Sequence, residues 1–157
     1  MNEITQAAVR VLIRDLLAMP MGSVRPGNQS QPTEGQTIAC MVISELDSVG
    51  WSAVSQQDTT QTHQQIVNVT ATLDFLGDEA QTLANRLSVV MQRPDAQERL
   101  NALNIGYLGA DSVRDLSALE LDRLSRYQVK MQFSTLVSTI ADVAHLETLT
   151  MGIFADT

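Results

Sequence analysis

The feature that most constrains the fold of this chain is a regular alternation of apolar and polar residues that ends at Phe75. The apolar members of the series are Val67, Val69, Ala71, Leu73 and Phe75. Successive side chains of a β-strand point to opposite faces of a sheet, so this spacing predicts a strand over 64–75. We expect one face of that strand to be buried and the other to contact solvent.

Other segments complete a predicted sheet. Four further strands are predicted from β-forming composition or alternation, at 36–46, 105–115, 124–134 and 146–154. A turn is predicted at 47–51, a polar tip at 56–61 and a tight crossing or helical turn at 117–122. Residues 135–145 fit both a short helix and a continuing strand, and both alternatives stay open.

Three helices are predicted to cover this sheet. The first is an amphipathic segment over 3–18. Asp78 and Gln81 have the spacing of a capping box that opens the second helix. A proline suits the first turn of the third helix, over 94–103. The order of helices and strands predicts an α+β fold with a mostly antiparallel β-sheet and helices packed on one face.

The chain length and one segment of unusual composition define the predicted domain organisation. At 157 residues the chain is expected to form a single domain over 1–157. Residues 19–35 hold three prolines and three glycines among polar residues, which predicts a long loop. Because loops longer than about 12–15 residues in compact domains tend to be functional or disordered, we expect this loop to contact a partner.

The charge of the chain limits its ligands. A net charge of −8 and an isoelectric point near 4.5 argue against tight nucleic-acid binding, which depends on Lys and Arg neutralising phosphates. The ten basic residues are scattered among acidic ones. An acidic surface is compatible with a passage through which DNA slides without sticking, provided that several chains form a ring.

The sequence contains no pattern of catalytic or ligating residues. No serine lies in a Gly-x-Ser-x-Gly motif between strand and helix, and His63 and His145 lack Cys or carboxylate neighbours at metal-ligand spacing. We therefore predict no catalytic, metal-ligating or cofactor-binding residue, no cofactor and no enzymatic activity. The single cysteine, Cys40, excludes an intrachain disulfide and fits a reducing cytoplasm. We expect neither a signal peptide nor a membrane partner, since no apolar run is long enough.

A group of charged residues lies between two predicted strands: Arg114, Asp115, Arg123 and Arg126. These side chains have two interpretations of about equal weight. They are either solvated charges on a strand and its turn, which contribute little as isolated pairs, or inter-subunit pairs. Arginine suits the second role because its planar guanidinium makes bidentate contacts that define orientation.

The chain as a whole resembles the bacteriophage tail terminator or neck terminator family, the tail completion proteins of long-tailed phages. The resemblance rests on the order and spacing of strand and turn residues. They are the N-terminal helix, Val24-Arg25-Pro26 with Pro32, Gly50-Trp51, Phe75-Leu76-Gly77, Ala80 to Leu87, Gln92-Arg93-Pro94, Val113 to Ser117 and Arg126 to Phe133. Coverage is nearly the full chain, and no single motif is diagnostic.

The resemblance implies a structural virion protein rather than an enzyme. Such a subunit is expected to form a homo-oligomeric ring, a hexamer, on the head-proximal end of the phage tail tube. The ring would terminate tail polymerisation and provide the docking surface for the head-to-tail connector, and DNA would pass through its lumen without specific binding. It would be assembled in the host bacterial cytoplasm and reside in the neck of the virion.

Interface candidates follow from this resemblance together with the charged group. They are Arg25, Pro26, Arg114, Asp115, Arg123 and Arg126. Two other functions stay open. One is a head completion or connector ring protein of the phage neck, and the more distant one is a small cytoplasmic α+β enzyme or binding domain.

Overall fold

A computed structural model describes residues 3–27, 35–57, 59–119 and 124–142 of the chain. The helices in this part are α1 (Glu3–Leu16), α2 (Ala80–Val90) and α3 (Pro94–Ala102). The strands are β1 (Val24–Pro26), β2 (Ile38–Gln57), β3 (Thr60–Leu76), β4 (Ile105–Ala110), β5 (Arg114–Asp115) and β6 (Arg126–Asp142). A short 3-10 turn, Ser117–Leu119, follows β5. The predicted α+β class is confirmed.

The strands form one sheet in the order β1-β2-β3-β6-β4, and β5 also pairs with β6. β4 and β5 run antiparallel to successive parts of β6. The short connection after Gln57 requires β2 and β3 to be antiparallel. β3 and β6 are antiparallel as well, because the Gly77 N–H at the end of β3 donates to the Ser125 carbonyl at the start of β6 (3.0 Å). β1 and β2 are parallel, so the predicted mostly antiparallel sheet is confirmed.

The chain divides into two compact units. The first unit comprises Met1–Asp47 and Asn68–Thr135, and the second comprises Ser48–Val67 and Leu136–Thr157. All helices described above belong to the first unit. The described part of the second unit consists of segments of β2, β3 and β6, at 48–57, 60–67 and 136–142.

The hydrophobic core lies in the first unit and is built on the alternating strand. The side chains of Val69, Ala71, Leu73 and Phe75 are 0% exposed, while the residues between them are half-buried. β6 repeats the pattern with buried Val129, Met131 and Phe133, and the helices complete the core with Val9, Leu12, Ile13, Leu87 and Leu100. Burying each large side chain of this kind stabilises the fold by about 1.5–3 kcal/mol.

An ion-pair cluster on the surface of the first unit joins α1 to α3. The Asp15 carboxylate accepts hydrogen bonds from the side chain of its neighbour Arg14 and from Arg99 of α3 (3.0 Å). These arginines, Arg14 first, hold the pKa of Asp15 below its ordinary value of 3.8. Because the groups are well exposed, water screens the attraction and the cluster contributes little to stability.

The structure corrects the predicted turn at 47–51. Those residues continue β2, which runs without interruption from Ile38 to Gln57. Gly50 suggested a turn because glycine readily adopts a positive φ, and its φ is indeed +72°. A single left-handed residue within a strand re-aims the backbone locally and does not end the pairing. The polar tip was predicted correctly, since β2 and β3 meet there.

Two predicted boundaries shift for identifiable reasons. The capping box is wrong: α2 begins after Glu79, whose N–H donates to the Thr37 hydroxyl (3.1 Å), and Asp78 makes no cap. The strand predicted at 105–115 is interrupted at 111–113, which separates β4 from β5. β4 itself has an irregular register near Gly109, whose φ is +147°.

Other predictions fall partly outside the described residues. Within the predicted loop at 19–35, Val24–Pro26 form β1, and 28–34 lie outside the described part. The ambiguous segment 135–145 is strand as far as Asp142. The strand predicted at 146–154 lies outside the described residues, as do 120–123 of the predicted crossing.

Gly77 is expected to tolerate no side chain. Its φ is +124°, and an added Cβ would lie 2.8 Å from Thr37 Oγ1 and 2.9 Å from Thr37 Cα. We expect Gly77→Ala to lower the free energy of unfolding by about 2–4 kcal/mol through backbone strain and overpacking. Urea denaturation measures this change.

Gly35→Ala is the matched control. Gly35 also has a positive φ, +77°, but an added Cβ would have nothing within 4 Å. Gly35→Ala should lower the free energy of unfolding by about 1–2 kcal/mol, from the backbone conformation alone. Equal losses in the two variants would show that the contact with Thr37 is not tight.

Candidate assembly surfaces

Metal-ligating groups, reactive thiols and cavities are the features of the described residues that bear on chemistry. No group of three or more His, Cys, Asp and Glu residues there could hold a metal ion, and Cys40 is buried as a free thiol. An open groove of about 370 Å³ in the first unit is lined by Leu17, Met19, Thr37, Asp78 and Glu79, among others. Its polar lining includes the Thr37 hydroxyl and the carboxylates of Asp78 and Glu79, and it contains no histidine, cysteine or cationic side chain. None of the described helices is long and apolar enough to cross a membrane.

The predicted charged group lies beside the turn that joins β5 to β6. Asp115 accepts a hydrogen bond from the Ser117 N–H (3.0 Å), and the Ser117 hydroxyl accepts one from the Arg126 N–H (3.0 Å). Hydrogen bonds from the Ser117 hydroxyl and N–H, and then from Tyr127, hold the pKa of Asp115 below its ordinary value of 3.8. Asp115 therefore stabilises this turn while its carboxylate is ionised.

Arg126 has a partner within the chain, on the solvent-facing side of β3. Its Nε lies 3.3 Å from Asp74 Oδ1, and Gln128 Nε2 donates to the same oxygen (3.0 Å). The Asp74 side chain is only 16% exposed, so water screens this pair less than the other ion pairs of the surface. Asp74 was not among the predicted site residues because its partners are 52 and 54 positions away in sequence.

Arg114 differs from Arg126. It lies opposite Gln128 in β5, is exposed, and makes no ion pair with any described residue. Its guanidinium is therefore available to a carboxylate outside the described part of the chain. Arg123, the remaining arginine of the group, lies outside the described residues.

Arg25 and Pro26 lie in β1. The Arg25 Nε donates to the Gly22 carbonyl (3.0 Å), which keeps its side chain over its own turn. Pro26 is exposed at the end of the strand. A proline has no N–H to donate, so this position at the edge of a sheet suits it.

The structure places four of the six interface candidates in two groups at opposite edges of the sheet within the first unit. Arg25 and Pro26 belong to β1, which is first in the strand order. Arg114 and Asp115 belong to β5, which pairs with β6 near the other end of that order. The groups do not meet in one chain. Two different surfaces on opposite sides of a subunit are what a head-to-tail contact between copies requires.

The second unit carries a set of exposed apolar side chains that the sequence interpretation missed. None of its described residues is buried, and Trp51 is 99% exposed. The other exposed large apolar residues of this unit are Val49, Val54, Ile66, Leu136, Val137 and Ile140. Because most of these side chains are already about half covered, burying the rest would stabilise each by about 1 kcal/mol, and the nearly fully exposed Trp51 by more. The absence of charged residues from 48–57 was the available signal, but 47–51 were read as a turn and 56–61 as a polar tip.

Comparison with known proteins gives one match. A sequence model of the family described as phage neck terminator protein matches residues 3–156, which is nearly the whole chain. None of the curated proteins is similar enough in sequence to match. The family match covers both compact units and all the interface candidates.

Asp74 is expected to contribute measurably to stability. Asp74→Ala removes the acceptor shared by Arg126 and Gln128, so the free energy of unfolding should fall by about 1–3 kcal/mol. Asp95→Ala is the control, because Asp95 pairs with Arg93 at a site where both side chains are 52% exposed. Asp95→Ala should change the free energy of unfolding by no more than about 0.5 kcal/mol. Losses of the same size in urea denaturation would contradict the assignment.

The carboxyl group of Asp115 is expected to titrate below 3.8 in an NMR pH titration of the folded protein, because its hydrogen bonds favour the ionised form. A group whose pKa is lowered by folding stabilises the native state above its unfolded pKa. That contribution is lost as the pH falls through the folded value. Ser117→Ala removes the side-chain hydrogen bond and should move the midpoint back toward 3.8. An unchanged midpoint would rule out that cause.

Proposed function

Because the chain belongs to the phage neck terminator family, we propose that it forms a hexameric ring on the head-proximal end of the tail tube. The ring stops polymerisation of the tube and provides the docking surface for the head-to-tail connector. Its partners are other copies of this chain, the tail tube protein and the connector or head completion protein. Assembly takes place in the host bacterial cytoplasm, and the finished ring resides in the neck of the virion.

The observation that carries this proposal is the position of four of the interface candidates at opposite edges of one sheet. A contact between one surface and a different surface of the next copy repeats indefinitely unless the rotation between copies closes it into a ring. Arg25 and Pro26 on β1 and Arg114 on β5 supply two such surfaces. Arg114 has no ion-pair partner among the described residues, which suits a carboxylate on the next copy.

The charge of the chain supports a passage for DNA rather than a binding site for it. A net charge of −8 per copy becomes six-fold larger in a hexamer, and like charges keep a polyanion from adhering to the wall of the lumen. A protein that held DNA tightly would need clustered Lys and Arg, whereas the basic residues here are scattered among acidic ones.

The role proposed for the ring is structural and includes no catalysis. The phage neck terminator family is a family of structural proteins. The groove lined by Thr37, Asp78 and Glu79 contains no serine, cysteine, histidine or lysine, the residues most often used as nucleophile and base. The proposed function therefore depends on the contact surfaces of each subunit and on the number of copies in the ring.

Binding to the tail tube is the direct test of the proposed role. Purified tails are incubated with the full chain, and electron microscopy should show one ring at the head-proximal end and no further growth of the tube. Pull-downs with the tail tube protein and with the connector protein distinguish the terminator from a head completion protein. A chain that binds the connector but never the tube would be a head completion protein instead.

Arg114→Glu is expected to block ring formation and leave the monomer folded. The reversal places a carboxylate where the proposed contact needs a cation, while Arg114 makes no ion pair with a described residue of its own chain. Light scattering after size-exclusion chromatography measures the particle mass, with and without the tail tube protein. Circular dichroism reports the fold.

Arg86→Glu is the control for this reversal. Arg86 is exposed on α2, so the variant has the same change in net charge at another position of the first unit. It should assemble like the unmodified chain. Rings formed by Arg114→Glu would return Arg114 to the class of solvated surface charges. Because Arg126 pairs with Asp74, reversal there would disturb the fold as well and gives a weaker test.

A further inference from the structure

The second unit has no hydrophobic core among its described residues. Segments 48–57, 60–67 and 136–141 are segments of sheet strands in which every residue is exposed or half-buried. The neighbours Leu136 and Val137 are 51% and 45% exposed, and adjacent strand residues point to opposite faces. Apolar side chains therefore stand on both faces of this unit. A strand that is apolar on both faces is typical of a sheet covered on both sides.

The outer strands of this unit also have open backbone edges. On the side of β2 away from β3, β1 pairs only with Ala39–Met41, and no described strand pairs with β2 along 48–57. On the side of β6 away from β3, pairing with β4 ends at Thr135, and no described strand pairs with 136–142. Open edges of this kind are templates for pairing with another chain.

The residues along these edges favour a second copy of the chain over other partners. Segments 48–57, 59–67 and 136–142 contain no Lys or Arg, and Asp142 is their only Asp or Glu. Monomeric proteins usually protect open edges with charged residues, which are missing from 48–57. Copies that each carry a charge of −8 repel one another, so they associate best through a surface without charge. DNA would need basic residues.

We propose that the second unit adds a further contact between neighbouring copies, besides the one proposed for the first unit. In it, the β2 edge around Trp51 of one copy pairs with the β6 edge around Ile140 of the next. The contact is head-to-tail, because the two edges belong to different strands. Trp51 is the anchor: it is the only tryptophan of the chain, and tryptophan is enriched at the energetically dominant positions of interfaces. This inference rests on the proposed ring and identifies the segments that hold it together.

Trp51 also reports on the contact, since it is the only source of tryptophan fluorescence. In the unmodified full chain we expect acrylamide to quench Trp51 readily at concentrations where light scattering gives a monomer. Quenching should fall and emission should shift to shorter wavelength in step with ring formation. Trp51 that is already shielded in the monomer would mean that another segment of the same chain covers it, and would overturn the inference.

Trp51→Lys tests the contact itself. We expect it to weaken assembly by about tenfold or more, because truncating a central interface tryptophan has effects of at least this size, with an unchanged melting temperature of the monomer. Val89→Lys is the matched control, since Val89 is an exposed apolar residue of α2, 67% exposed in the first unit. It should assemble normally. Rings formed equally well by Trp51→Lys would overturn the inference and leave the proposed function standing.

The tail tube protein separates the remaining outcomes. If Trp51 became shielded only in a complex of one copy with the tube protein, the surface around Trp51 would bind the tube protein and not a second copy. The inference would then be wrong. An unmodified chain that stays monomeric both alone and with tails would overturn the proposed function and this inference together.

Discussion

The buried face of β3 is the constraint on which the rest of the structure depends. Its apolar residues, from Val69 to Phe75, are fully removed from solvent and lie in the same core as Met131 and Phe133 of β6. A strand buried on one face needs a cover, and the amphipathic helices supply it. This core uses large apolar side chains from each of the three helices. It leaves none of the described residues of the second unit buried.

That distribution of apolar residues has a functional consequence. The first unit has a core of its own and satisfied ion pairs, so it accounts for a folded monomer. The second unit has exposed apolar side chains and open strand edges, which water solvates poorly. Folding therefore leaves these apolar side chains exposed, and the contact proposed above would bury them without disturbing the core.

At the β5–β6 turn, some charged groups are paired within the chain and one is left exposed. Asp74 engages Arg126, and Ser117 ties Asp115 to the start of β6, so these groups stabilise one chain. Arg114 is left exposed by the same turn. The three members of the charged group that the structure describes, Arg114, Asp115 and Arg126, thus have different roles. The difference comes from Asp74, whose position beside Arg126 depends on the pairing of β3 with β6.

The sequence alone determined the α+β class, the alternating strand with its buried face, the third helix and the absence of a recognisable catalytic motif, because these follow from local periodicity and residue chemistry. The tertiary structure decided that 47–51 continue a strand, that Thr37 caps α2, and that four of the interface candidates lie at opposite edges of the sheet. It also decided that Trp51 is exposed. Each of these outcomes depends on segments far apart in sequence, because strand pairing and burial are set by contacts across the sheet, which no local pattern encodes.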